Sequence, residues 1–234
     1  MIRIGLLIAL LLLTGCAATT PPWEQTDPDQ QASAFADLGI AYLEQGQFDR
    51  ALRNLERSLS IRPRNPRALH GMALTLQQQG EDAMAEDYFQ RALRQAPNKT
   101  VARNNYAAFL YNQERYQDAK AQLDIASRDI FYNNRALVFE NMGLVALALD
   151  QPAQALDYFQ RSLSLNRRSV TVHRELLRLR LDRGELLQAE GHWQTLRSGG
   201  VDDLETLTLG RDLALARGDH QTASDIQHLI DYRR

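Results

Sequence analysis

Beyond residue 32 the apolar and small residues recur in a cycle of about 34. An alanine in a similar context stands at Ala51, Ala85, Ala119, Ala155, Ala189 and Ala223, with spacings of 34, 34, 36, 34 and 34. Each cycle carries one helical stripe that ends in a small residue and a larger one, then a turn. A second stripe follows, built on the repeated alanine and a large residue four positions later. Such a pattern predicts six helix–turn–helix units over 32–65, 66–99, 100–135, 136–169, 170–203 and 204–234.

The first unit has Phe35, Leu38, Gly39 and Tyr42, then Ala51, Leu55 and Ser58, with Gly46 in the turn and Pro63 after it. The second keeps the register through Leu69, Met72, Ala73, Leu76, Ala85, Phe89, Ala92 and Pro97, with Gly80 in the turn. Two extra residues fall near Phe131 to Arg135, at a junction between units. The pattern weakens toward the carboxyl end, where Arg211 and Gln227 occupy positions that are usually small or apolar, as suits a solvent-facing terminal cap. This spacing and content resemble the tetratricopeptide repeat, which implies an all-α fold, a right-handed superhelical solenoid of six repeats. The physical logic is close packing. Glycine or alanine on the first helix and alanine on the second let two backbones approach, and stacking buries faces that one pair alone would leave wet.

Ahead of the repeats, Met1 to Arg3 gives a positive start and Ile4 to Leu13 an apolar run of ten residues, followed by Thr14, Gly15 and Cys16. Ten residues rise only about 15 Å in a helix, half of a hydrocarbon core of about 30 Å, so the run reads as a secretory signal rather than a span. Leu13-Thr14-Gly15-Cys16 resembles a bacterial lipobox, which implies removal of 1–15 and acylation of Cys16; the alternative is an ordinary secretory signal that contains a cysteine. Ala17 and Ala18 in place of an aspartate imply, by analogy with lipoprotein sorting, the periplasmic face of the outer membrane. Residues 16–31, with three prolines and little apolar surface beyond Trp23, read as a tether. Its typical span is about 20 Å, its stretched limit near 50 Å.

Composition narrows the chemistry. Over 234 residues, 44% are apolar and 24% charged, values of a chain with a packed core. Positive residues number 27 and negative ones 29; 25 of the positive ones are scattered arginines, so nothing marks a nucleic-acid partner. One cysteine rules out an internal disulfide or a thiolate zinc site, and its place assigns it to the anchor. The histidines His70, His173, His192, His220 and His228 form no metal-binding i,i+4 pair and read as surface or packing residues. No phosphate-cradling glycine loop and no nucleophile elbow occurs. The sequence therefore predicts no catalytic residue, no metal, no small-molecule substrate and no cofactor beyond a covalent lipid on Cys16.

Similarity to tetratricopeptide proteins also implies that positions 2, 5, 9 and 12 of each repeat face a concave groove. Here these include Ala36, Ile40, Leu43, Leu74, Ala108, Tyr111, Leu144 and Leu147 beside the polar Ser33, Arg67, His70, Gln77, Asn104 and Glu140, a largely apolar series over repeats one to four, whereas Arg174, Arg178, Glu205 and Asp212 make repeats five and six more polar. Ile40, Leu43, Leu74, Ala108, Tyr111, Leu144 and Leu147 are the candidate partner-binding residues; packing between neighbouring helices is the equal alternative for Ile40, Leu74 and Leu144. The lysine–asparagine clamp of chaperone-binding repeats is absent, since its sites hold Ala36, Ile40, His70, Leu74 and Val101.

Lipobox, tether and six repeats together resemble the type IV pilus biogenesis lipoproteins of the PilF/PilW type, the pilotins, over the whole chain. That resemblance implies a non-enzymatic protein that binds the outer-membrane secretin subunit and promotes its localisation and multimer assembly, in support of pilus formation and twitching motility. The alternative is a lipid-anchored periplasmic scaffold for murein enzymes or for outer-membrane protein assembly.

Overall fold

A computed structural model describes residues 27–233. Twelve helices are described: α1 Pro28–Glu44, α2 Phe48–Ile61, α3 Pro66–Gln78, α4 Asp82–Gln95, α5 Thr100–Asn112, α6 Tyr116–Ala126, α7 Arg135–Ala148, α8 Pro152–Leu165, α9 Val170–Asp182, α10 Leu186–Ser198, α11 Leu204–Ala216 and α12 His220–Tyr232. They form two compact units that divide after Gln95, with α1–α4 in the first and α5–α12 in the second.

Local chemistry sets the helix boundaries. Asp27 caps α1 by accepting from the Asp29 N–H at 2.9 Å, with Pro28 in the first turn, where a missing N–H costs nothing. Asn65 and Pro66 start α3 in the same way; Ser169, Asp203 and Asp219 cap α9, α11 and α12. The first helix thus takes in residues 28–31, which the sequence pattern assigns to the tether.

Each pair of helices is joined by one turn geometry, used six times. Gly46, Gly80, Glu114, Asp150, Gly184 and Gly218 stand in the left-handed region, with φ between 56° and 78°. The next residue donates its N–H to the carbonyl five positions back, as in Gln47 to Tyr42 at 2.9 Å and Gln151 to Ala146 at 2.8 Å. This closes the orphan carbonyls of the first helix and reverses the chain. Glu114 and Asp150 adopt a backbone that glycine takes at lower steric cost.

In the first unit α3 packs on α4 and also on α1 and α2, whose backbones touch: a Cβ on Gly39 would lie 2.6 Å from Leu55 Cγ and 3.2 Å from the Ala51 carbonyl. Within the second unit the pairs α5–α6, α7–α8, α9–α10 and α11–α12 stack in chain order. Gly143 lets Phe159 lie against α7, and Gly210 does the same for Trp193 against α11. All six repeated alanines are buried, five of them fully and Ala223 with 4% exposed. Leu38 departs from the pattern at 43% exposed, while Met72, Tyr106, Met142 and Leu176 at the equivalent position are buried; Met72 in the first unit, and Met142 and Leu176 in the second, each lie behind a preceding repeat of the same unit. At the other end Arg211 donates to Gln227 at 2.9 Å, so the two polar residues of the last repeat satisfy one another.

Candidate partner-binding groove

Ile40 and Leu43 on α1 and Leu74 on α3 are half-buried in the first unit. Ile40 Cγ1 stands 3.3 Å from the point where Gly71 would carry a Cβ, so one side of this residue packs on the next repeat while the remainder stays open. Within the second unit Ala108 and Tyr111 on α5 and Leu144 and Leu147 on α7 are likewise half-buried. Leu144 and Leu147 rest against the cluster of Ala146, Ala155, Phe159 and Leu176. Packing and exposure are therefore combined in the same side chains. Two positions leave the lining: Ala36 is fully buried and Asn104 is 1% exposed, because position 5 of those repeats turns toward the neighbouring helix.

Polar groups fix the rest of the second unit's face. Asn141 donates to the buried Asn104 at 2.9 Å, joining α5 to α7. The rings of Tyr111 and Tyr116 lie 5.4 Å apart, and burial, with Tyr116 and Glu175 adding, raises the Tyr111 hydroxyl above its ordinary value. The hydroxyl stays protonated and keeps a donor for any segment laid across it. On α9, Arg174 pairs with Asp203 at 2.6 Å and Glu205 at 3.2 Å, and Arg178 with Glu175 at 2.6 Å and Glu205 at 2.5 Å. The polar positions of repeats five and six are thus spent on tying α9 to α11, which leaves the apolar positions of repeats three and four as the open part of this unit's face.

Sequence spacing did not foresee one pair. His173 on α9, 8% exposed, and His192 on α10 approach through their Nδ1 atoms at 3.0 Å, and His173 Nε2 lies 3.0 Å from the Arg167 carbonyl. A carbonyl only accepts, so His173 Nε2 carries the hydrogen, and its Nδ1 accepts from His192 Nδ1–H. Burial first, then His173 and Arg180, pushes the His192 imidazole down to about 4. The pair holds two helices together rather than a ligand. Among the described residues no group of three or more His, Cys, Asp or Glu is disposed to hold a metal ion, and no helix is long and apolar enough to cross a membrane. Cys16 and residues 1–15 lie outside the described residues.

Residues 36–100 match the tetratricopeptide repeat family. Over 227 residues the chain is 34% identical to the type IV pilus assembly protein PilF of Pseudomonas aeruginosa, which covers 95% of this chain and 90% of that protein. The solved structure of Pseudomonas aeruginosa PilF superposes with a TM-score of 0.84, covering 88% of this chain and 92% of the other. PilW, described as a widely conserved type IV pilus biogenesis factor, superposes with a TM-score of 0.79 at 25% identity, covering 87% of this chain and 93% of that one.

Proposed function

This chain belongs to the family of the type IV pilus assembly protein PilF, and from that premise we propose that it is the pilotin of its secretin. The family acts in type IV pilus biogenesis, and so does this chain. Like other tetratricopeptide proteins it works by binding protein, as an adaptor and without catalysis. In the proposed mechanism the lipid on Cys16 holds it at the periplasmic face of the outer membrane. The half-buried apolar side chains of the first helices then take a segment of the secretin subunit and promote its localisation and multimer assembly.

The observation that supports this reading is the set of leucines that are anchored on one side and open on the other. Such residues are pre-ordered by packing, so a partner segment gains apolar contact without having to order them. Leu74→Asp in the first unit and Leu144→Asp in the second place a charge in that contact. Either is expected to lower co-purification of the secretin subunit with the full chain by at least about tenfold, the equivalent of ~1.4 kcal/mol, with the helical circular dichroism unchanged. Leu187→Asp, at a site 85% exposed, is the control. Undiminished secretin recovery from both variants overturns the groove; recovery of murein enzymes or assembly factors without secretin points to the general scaffold instead.

A further inference from the structure

We propose that the end of the second unit at which its first helices begin is a membrane-contacting surface for anionic phospholipid. Four connections lead into those helices, 96–99, 127–134, 166–169 and 199–203, and the second has eight residues where the others have four or five. The extra length is held in place. Asp129 accepts from Thr100 Oγ1 at 2.5 Å and from the Phe131 N–H at 3.1 Å, which fixes the loop to the start of α5. Ser162 on α8 donates to the Ala136 carbonyl at 2.9 Å, and Ser169 donates to Glu140 at 2.7 Å, which fasten the third connection to α7.

What this scaffold presents is apolar and outward. Phe131 is 85% exposed, Ile130 65% and Leu165 53%. Folding leaves none of the three covered, although their backbone is tied down on both sides. The same connections carry Lys99, Arg128, Arg167 and Arg168, all exposed and none in an ion pair among the described residues. The acids of these connections are already engaged, Asp129 by Thr100, Asp202 by Arg233 and Asp203 by Arg174.

The arrangement separates two kinds of partner. Apolar tips that project, with unpaired cations on the same connections, match a surface with phosphate outermost and hydrocarbon beneath it, where an aromatic ring sits at the headgroup level and arginines meet the phosphates. The candidate groove for a protein partner lies elsewhere, on the half-buried apolar side chains of the first helices. The contact would fix how an anchored chain is turned, and so which face it offers. It does not depend on which protein occupies the groove, and secretin co-purification and membrane contact fail separately.

The test is full chain carrying Phe131→Cys, labelled with an environment-sensitive fluorophore and reconstituted into vesicles of phosphatidylethanolamine and phosphatidylglycerol. Leu187→Cys, exposed at the opposite end of the helices, is the matched control, and the chain without either change gives the label background. The expected result is a blue shift of emission at 131 and none at 187, reduced in phosphatidylcholine vesicles and by added salt, and lost when Arg167→Glu and Arg168→Glu are combined with it. Unchanged helical circular dichroism shows that the variants are folded. No shift at 131, an equal shift at 187, a shift that survives charge reversal, or one that appears without vesicles when a soluble partner protein is added overturns the proposal.

Discussion

His173 and His192 constrain each other to one pair of tautomers, and the constraint has a pH signature. The His192 imidazole titrates at about 4 in the folded chain, mainly because it is buried, against an ordinary value of 6.5. Between those two values the unfolded chain binds a proton that the folded one does not. Stability from this residue is therefore complete above about 6.5 and is lost as the pH falls toward 4. Asparagine can supply the same donor to His173 without titrating in this range. Urea midpoints are expected to fall between pH 7 and pH 5 in wild type and to fall less in His192→Asn; equal slopes would mean that carboxylates account for the whole acid limb. The sequence shows two histidines 19 residues apart and nothing more. Their meeting depends on how α10 is rotated against α9, which side-chain packing decides.

At the scale of the helix, glycines that share a composition differ in consequence. Gly143 lies under Phe159, with ring atoms from 2.3 Å to 2.7 Å from a built Cβ, and Phe159 is fully buried. Gly191, in the interior of α10, has nothing within 4 Å. Alanine at Gly143 forces the two helices of its repeat apart, at an expected cost of about 1–3 kcal/mol. At Gly191 the same change supplies only helix propensity and is expected to stabilise by about 0.5–1 kcal/mol. Chemical denaturation of the two variants should therefore move in opposite directions, and a common sign would refute the packing argument. Gly143 was legible in advance because the repeat places a small residue there. The opposite case is Gly210, one position before Arg211, which receives Trp193 from the preceding repeat at 2.2 Å. The repeat position equivalent to Gly39 and Gly143, which pack on the second helix of their own repeats, holds Arg211 here, so periodicity gave no sign that the residue before it would lie under Trp193.

For the chain as a whole, a repeat array is stabilised between neighbours, so the last repeat protects the one before it. In the second unit Leu177, Trp193 and Leu196 form one cluster with Leu207, Leu213, Ile226 and Ile230. Deleting 204–234 uncovers the first three. The shortened chain is expected to bind an apolar dye that the full chain does not bind and to sediment as larger species; a monodisperse, dye-free product would show that the terminal repeat is dispensable. The repeat itself was open to reading from sequence, because its 34-residue spacing follows from covalent lengths: two helices of three to four turns, one left-handed reversal and one short connection. The buried alanines were open to it as well, since two backbones in contact leave space for little more than a methyl group. Among the groove positions, Ile40, Leu74 and Leu144 could be named but not described. Half of each side chain is packed and half open, a division set by the separation of neighbouring helices rather than by residue type. Tertiary structure alone decided that Asn104 is buried against Asn141, that Arg174 and Arg178 are engaged with Glu205, and that Phe131 stays uncovered. Those outcomes depend on the angle between successive repeats, which brings together residues about one repeat apart, and no single period encodes that angle.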